Sequence, residues 1–298
     1  MPTQLAQVAP MADSPWGGLL AVYFAMIGVP SGLTLAVWWH RQRCPTAALT
    51  LDWRAGWASL GLLAAAGTLL TIDLGRPERF TLMLTEFGNW NSPISLGAKI
   101  IALKVFLLGV ALYMLSRRRA ASAGAAAPLP ARGATRQLER AVTWLLVASS
   151  IALAIYPVAV LARTWVSPLA GTSGSALLFL VTSLLMGYAV VELIATGIEP
   201  QGNQDAGRRS VMLLLLMTFG AAMVFTAVSE PVGPARESLD AVLRGDWMLL
   251  FYGGVLGIGL AVPVLVLLLA RRRRVARMLG AVAVLVGSCL ARFLVFTA

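Results

Sequence analysis

Long apolar runs separated by short, arginine-bearing loops organise the whole chain. A bilayer-spanning helix needs about 20 mostly apolar residues. Eight runs meet that length, at roughly 16–39, 55–72, 93–115, 141–162, 174–197, 210–229, 247–269 and 275–296. The expected fold class is therefore all-α, a polytopic membrane protein with eight transmembrane helices. The first run lacks a positively charged leading region and is too long for a signal segment, so it reads as a true span. Pro93 opens the third run, where a missing N–H costs least. Pro30, Pro157 and Pro263 fall inside runs and are expected to kink them. Gly253, Gly254, Gly257 and Gly259 give the seventh run a small-residue face suited to close packing.

The chain of 298 residues leaves no room for a soluble domain between these runs. It reads as one integral membrane domain, 1–298, with spans one to four at 16–162 and spans five to eight at 174–296. A flexible, Ala-, Pro- and Arg-rich cytoplasmic linker is expected at 116–140, between spans three and four.

Composition agrees with the pattern and narrows it. Hydrophobic residues make up 58% of the chain and charged residues 12%, against roughly 25% charged in soluble domains. A net charge of +11 could suggest a nucleic-acid partner. The arginines, however, lie in loops between apolar runs, where they set topology. Loops one, three, five and seven hold 16 basic residues and the opposite face five, counted from the sequence. By the positive-inside rule both termini are then extracytoplasmic.

Candidate chemistry is sparse. His40 is the single histidine, and Cys44 and Cys289 are the two cysteines. Membrane haems need axial histidines and iron–sulfur clusters about four thiolates, so no haem, no other metal and no Fe–S cluster is expected in this chain. The unusual polar residues gather instead toward the extracytoplasmic face. Asp73, Arg76, Glu78, Arg79, Arg163, Glu230 and Arg292 are placed at or near that boundary, with Lys99 and Tyr156 a little inside it.

Ionisable groups inside a bilayer cost about 2.5–3.5 kcal/mol on insertion scales, so they pair or line a pathway. Asp73 and Arg76, one turn apart, could simply cap the second helix. Trp165 fits an interfacial belt, and Tyr156 could bond a carbonyl freed by Pro157. Taken together they also suit a quinone headgroup, which needs a hydrogen-bond donor at each carbonyl. Tyr156, Lys99, Arg163 and Asp73 supply that chemistry, with Arg76, Trp165 and Asn91 as further binding candidates.

Several segments, in order, carry a family resemblance. They are WGGLLAVYFAMIGVPSGL (16–33), DLGRPERF (73–80), NSPIS (91–95), YPVAVLARTWVSPLAG (156–171), LFLVTSLLMGY (178–188), FYGGVLGIGLAVPVLV (251–266) and GSCLARFLVF (287–296). Together they resemble the polysulfide-reductase membrane-subunit family. The resemblance implies two four-helix bundles and exchange of electrons with the membrane quinone pool, through menaquinone or ubiquinone. It also implies two partners besides membrane lipid: a four-cluster ferredoxin-like Fe–S subunit and a molybdopterin catalytic subunit. The family's quinone-site tyrosine matches Tyr156, and its aspartate and following arginine match Asp73 and Arg76. Localisation in the bacterial cytoplasmic (inner) membrane follows from the same likeness.

Two other classes stay open on the sequence. In a proton-translocating coupling subunit, Lys104 and Glu192 would extend a path from the outer site to the cytoplasm. A small-solute secondary transporter would show inverted repeats and paired broken helices, which are not evident here.

Overall fold

The computed structural model describes residues 18–43, 48–73, 93–122, 133–164, 168–198, 204–229, 233–269 and 273–297. All the long elements among them are helices. They are α1 (Gly18–Arg43), α2 (Ala48–Asp73), α3 (Pro93–Ser122), α4 (Gly133–Thr164), α5 (Ser173–Ile198), α6 (Gln204–Ser229) and α7 (Pro234–Arg244). A π-helix, π1 (Leu250–Ala261), runs directly into α8 (Val262–Leu269), and α9 (Arg274–Thr297) is the last helix. Eight segments are long and apolar enough to cross a membrane, π1 with α8 forming one of them. The chain is thus a multi-pass membrane protein.

Side-by-side packing arranges these helices as two rings. In the first, α1 packs on α2, α2 on α3, α3 on α4, and α4 back on α1. In the second, α5 packs on α6, α6 on α8, π1 and α8 on α9, and α9 back on α5. Among the described helices the broadest contact is between α1 and α5, which joins the rings. Its cause is visible at the crossing. A Cβ placed on Gly32 would collide with the Ser183 carbonyl, and one on Gly187 would collide with the Gly32 backbone. Without side chains there, the two backbones touch, and dispersion contacts replace the hydrophobic drive that lipid removes.

Helix bounds differ from the hydropathy pattern where polar residues continue a helix beyond the bilayer. α2 begins at Ala48 and α6 at Gln204, each several residues before its apolar run. α3 continues to Ser122 and α4 starts at Gly133, so much of the 116–140 stretch is helical. Arg118 of α3 pairs with Glu139 of α4 across this extension. Such a bridge, between largely exposed groups, contributes on the order of 0–1 kcal/mol.

Two local features answer to single residues. Pro263 has no N–H and its ring would crowd the carbonyl four residues back. The turn before it widens into π1, where the Val262 N–H reaches back five residues to the Gly257 carbonyl. In that widened stretch Gly259 comes against Gly287 of α9 with no side chain between them. The second feature is α7, too short to span. Gly233, at φ 89°, adopts a backbone conformation that favours glycine, and Pro234 then starts the helix. Leu239 and Val242 turn inward while Glu237 and Arg244 stay more accessible. The helix rests on the 3-10 turn Leu169–Gly171 that precedes α5.

Candidate functional site

The ends of α4 and α3 bring Tyr156 against Gly97. Tyr156 is buried on α4, eight residues before the helix ends. Its ring fills the space beside Gly97 on α3, where any Cβ would strike the phenol. Glycine at 97 therefore makes room for the ring. Lys99, two residues on, is also buried. From the other side α1 supplies an aromatic wall. Phe24 meets Tyr156 edge-on at 6.3 Å between centroids, Tyr23 meets Phe24 at 5.3 Å, and Phe296 of α9 meets Phe24 at 6.0 Å. Offset and edge-on pairs of this kind add about 0.5–1.5 kcal/mol each beyond area burial, so the wall holds the phenol in one orientation.

Behind this wall lies Arg292, fully buried among α1, α5 and α9. Near the end of its span, its side chain is packed inside the bundle and not on its surface. In a helix, side chains tilt toward the N-terminus, which here points inward, and α1 and α5 offer acceptors there. The guanidinium donates to the Phe24 carbonyl at 3.0 Å, the Thr182 hydroxyl at 2.9 Å, the Phe179 carbonyl at 2.6 Å, and the Ser183 hydroxyl. It also sits 4.8 Å from the centre of the Phe179 ring. Gly28 leaves the space that it occupies. Hydroxyls, carbonyls and a ring face thus replace the carboxylate that usually accompanies a buried arginine. The same contacts tie α5 and α9 of the second ring to α1, which carries the aromatic wall.

The other candidates separate. Lys104 is buried in the first ring, and its ammonium donates to the Ser150 hydroxyl of α4 at 2.6 Å. Glu192 belongs to the second ring, between Arg208 of α6 at 3.3 Å and Arg277 of α9 at 3.7 Å. Asp73 ends α2 and Arg163 lies in the last turn of α4; their side chains, and the whole of Arg76, Asn91 and Trp165, lie outside the described residues. Tyr23, Phe24, Gly97 and Arg292 were not singled out as binding residues from the sequence. A usable signal existed for one of them, an arginine five residues inside an otherwise apolar span. Among the described residues no group of three or more His, Cys, Asp or Glu side chains could hold a metal ion.

A double ring of membrane helices, with a buried tyrosine, lysine and arginine near its arginine-poor end, defines a multi-pass anchor with polar groups held inside the bilayer. The family model for polysulphide reductase, NrfD, matches residues 7–298, and the protein belongs to that family. It is also 29% identical, over 268 residues, to the C subunit of the polysulfide reductase of Wolinella succinogenes; the match takes in 84% of the present sequence and 81% of that protein.

Proposed function

We propose that this protein is the membrane anchor and quinone-interacting subunit of a multi-subunit molybdopterin oxidoreductase. Electrons pass between quinone held in the first ring and an Fe–S partner subunit, which docks at the extracytoplasmic, arginine-poor face. The observation that carries this reading is the placement of Tyr156. A phenol O–H held inside the bilayer by Gly97 and an aromatic wall can donate to a quinone carbonyl; Lys99, buried two residues from Gly97, lies on a different side of α3. An apolar setting makes each such hydrogen bond stronger than in water, and the lipid gives the isoprenoid tail a medium to lie in. The arginine asymmetry supports the sidedness. The family supports a bacterial cytoplasmic membrane and a molybdopterin partner.

Tyr156→Phe removes one hydroxyl and keeps the ring. In the assembled complex, quinone-dependent turnover should fall about 100-fold, the lower end of what a positioned proton-transfer group contributes. Electron transfer from the soluble donor into the Fe–S subunit should stay normal. Unchanged quinone turnover would remove Tyr156 from the reaction.

A further inference from the structure

At the arginine-rich end of the second ring the charges do not pair one to one. Glu192 of α5 stands between Arg208 of α6 at 3.3 Å and Arg277 of α9 at 3.7 Å. The two arginines are only 5% and 9% exposed. Arg209 lines the same small space as these three side chains. In the first ring, by contrast, Arg41 pairs with Asp52 and Arg118 with Glu139. The sequence around this corner, 192–209 and 271–277, holds seven arginines against three carboxylates, Glu192, Glu199 and Asp205. A buried cluster with excess positive charge is costly unless an anion completes it.

The space beside the cluster limits what that anion can be. It is a cavity of about 20 Å³, with Met212 of α6 and Leu267 of α8 among its apolar walls. A water needs about 10–15 Å³, so the cavity admits one oxygen and the rest of the anion sits at its mouth. Its walls come from α5, α6, α8 and α9, and among these α6 and α8 form the least extensive joint of the second ring. Within two turns of Arg208, α6 exposes Leu214, and on either side of Leu267, α8 exposes Leu265 and Leu268. Acyl chains therefore have an apolar surface to lie on beside a cationic pocket.

We propose that this corner binds the phosphate group of an anionic membrane lipid such as phosphatidylglycerol. One phosphate oxygen enters the cavity among Arg208, Arg209 and Arg277, and the chains lie along α6 and α8. Guanidinium groups meet phosphate through parallel N–H bonds, and basic pockets between helices on the cytoplasmic side of a bilayer take anionic headgroups. The bound lipid staples α6, α8 and α9 together where helix packing alone is thinnest. Glu192 orients Arg208 and Arg277 and cancels part of the charge that the lipid balances. The site stands apart from the quinone reading, being in the other ring and at the opposite end.

The test is native mass spectrometry and thermal unfolding of the whole detergent-purified complex. It is delipidated, then supplied with phosphatidylglycerol, with phosphatidylcholine, whose choline cancels the phosphate charge, or with inorganic phosphate. Phosphatidylglycerol should stay bound and raise the thermal midpoint, and the other two should do neither. Arg209→Gln and Arg277→Gln should each weaken phosphatidylglycerol binding about fivefold, the share of one arginine near a headgroup. Arg140→Gln, at an exposed arginine of the first ring's arginine-rich end, should leave binding unchanged. Glu192→Gln removes the competing carboxylate and should tighten binding, a gain that a merely structural role would not give. Should Arg277→Gln fail to assemble, Arg209→Gln, at a partly exposed position, still decides the matter. Equal binding of phosphatidylcholine, an equal shift with inorganic phosphate, or unchanged affinity in Arg209→Gln overturns the lipid site.

Discussion

Arg292→Met is expected to leave an assembled anchor with at least about 100-fold slower quinone turnover. Methionine is unbranched and fills irregular apolar space, so the junction of α1, α5 and α9 can stay packed. No charge is left behind, and the Thr182 and Ser183 hydroxyls keep their bonds to the Leu178 and Phe179 carbonyls. What disappears is the fork of donors that fixes the Phe24 carbonyl to Phe179, Thr182 and Ser183. Hydrogen bonds from a charged group contribute about 1.5–3 kcal/mol each, and here they set the position of the aromatic wall against Tyr156. Arg292→Lys should not rescue, because an ammonium cannot reach the same acceptors as a planar guanidinium. The checks are quinone turnover of the purified complex and its thermal midpoint. A Met variant with normal turnover would reduce Arg292 to packing.

Gly32→Leu should have the largest effect on the fold itself. Even the first carbon of a side chain collides with the Ser183 carbonyl, a backbone group that cannot turn away. α1 and α5 must then move apart, and the seam between the rings opens. Overpacking usually costs about 1–3 kcal/mol; a collision with backbone at the broadest interface exceeds that range. The expected result is little or no monodisperse protein after solubilisation, and no complex with the partner subunits. Gly187→Leu should behave alike, whereas Gly61→Leu, with open space around its Cβ position, should be silent. Equal yields for Gly32→Leu and Gly61→Leu would contradict the close approach.

These two sites show where sequence reasoning ran out. The eight spans were legible because bilayer thickness imposes a length on every apolar run. Helix α7 was not, since it is short and only one face of it is apolar; the spacing of Leu239, Val242 and Leu243 was its only trace. Tyr156 could be chosen from its place near a span's end. Tyr23, Phe24 and Gly97 could not, because an aromatic or a glycine in an apolar run looks the same whether it faces lipid, core or ligand. Arg292 was visible as an oddity, yet its burial depends on hydroxyls and carbonyls of α1 and α5. Those partners lie more than 100 residues away in the sequence. Arg41 counts in the sequence only as one positive charge among those that set topology. In the fold it pairs with the buried Asp52 of α2, eleven residues on. The separation of Lys104 from Glu192 has the same origin: hydropathy orders the spans in sequence but does not say which ring closes around which residue.

A photoreactive quinone cross-linked to the intact complex, with the labelled peptides mapped, locates the headgroup within the rings. Label is expected on α1, α3 and α4 around Phe24, Gly97 and Tyr156, displaced by excess quinone and reduced in Tyr156→Phe. Label confined to the second ring, or to the arginine-rich end of either ring, would contradict it.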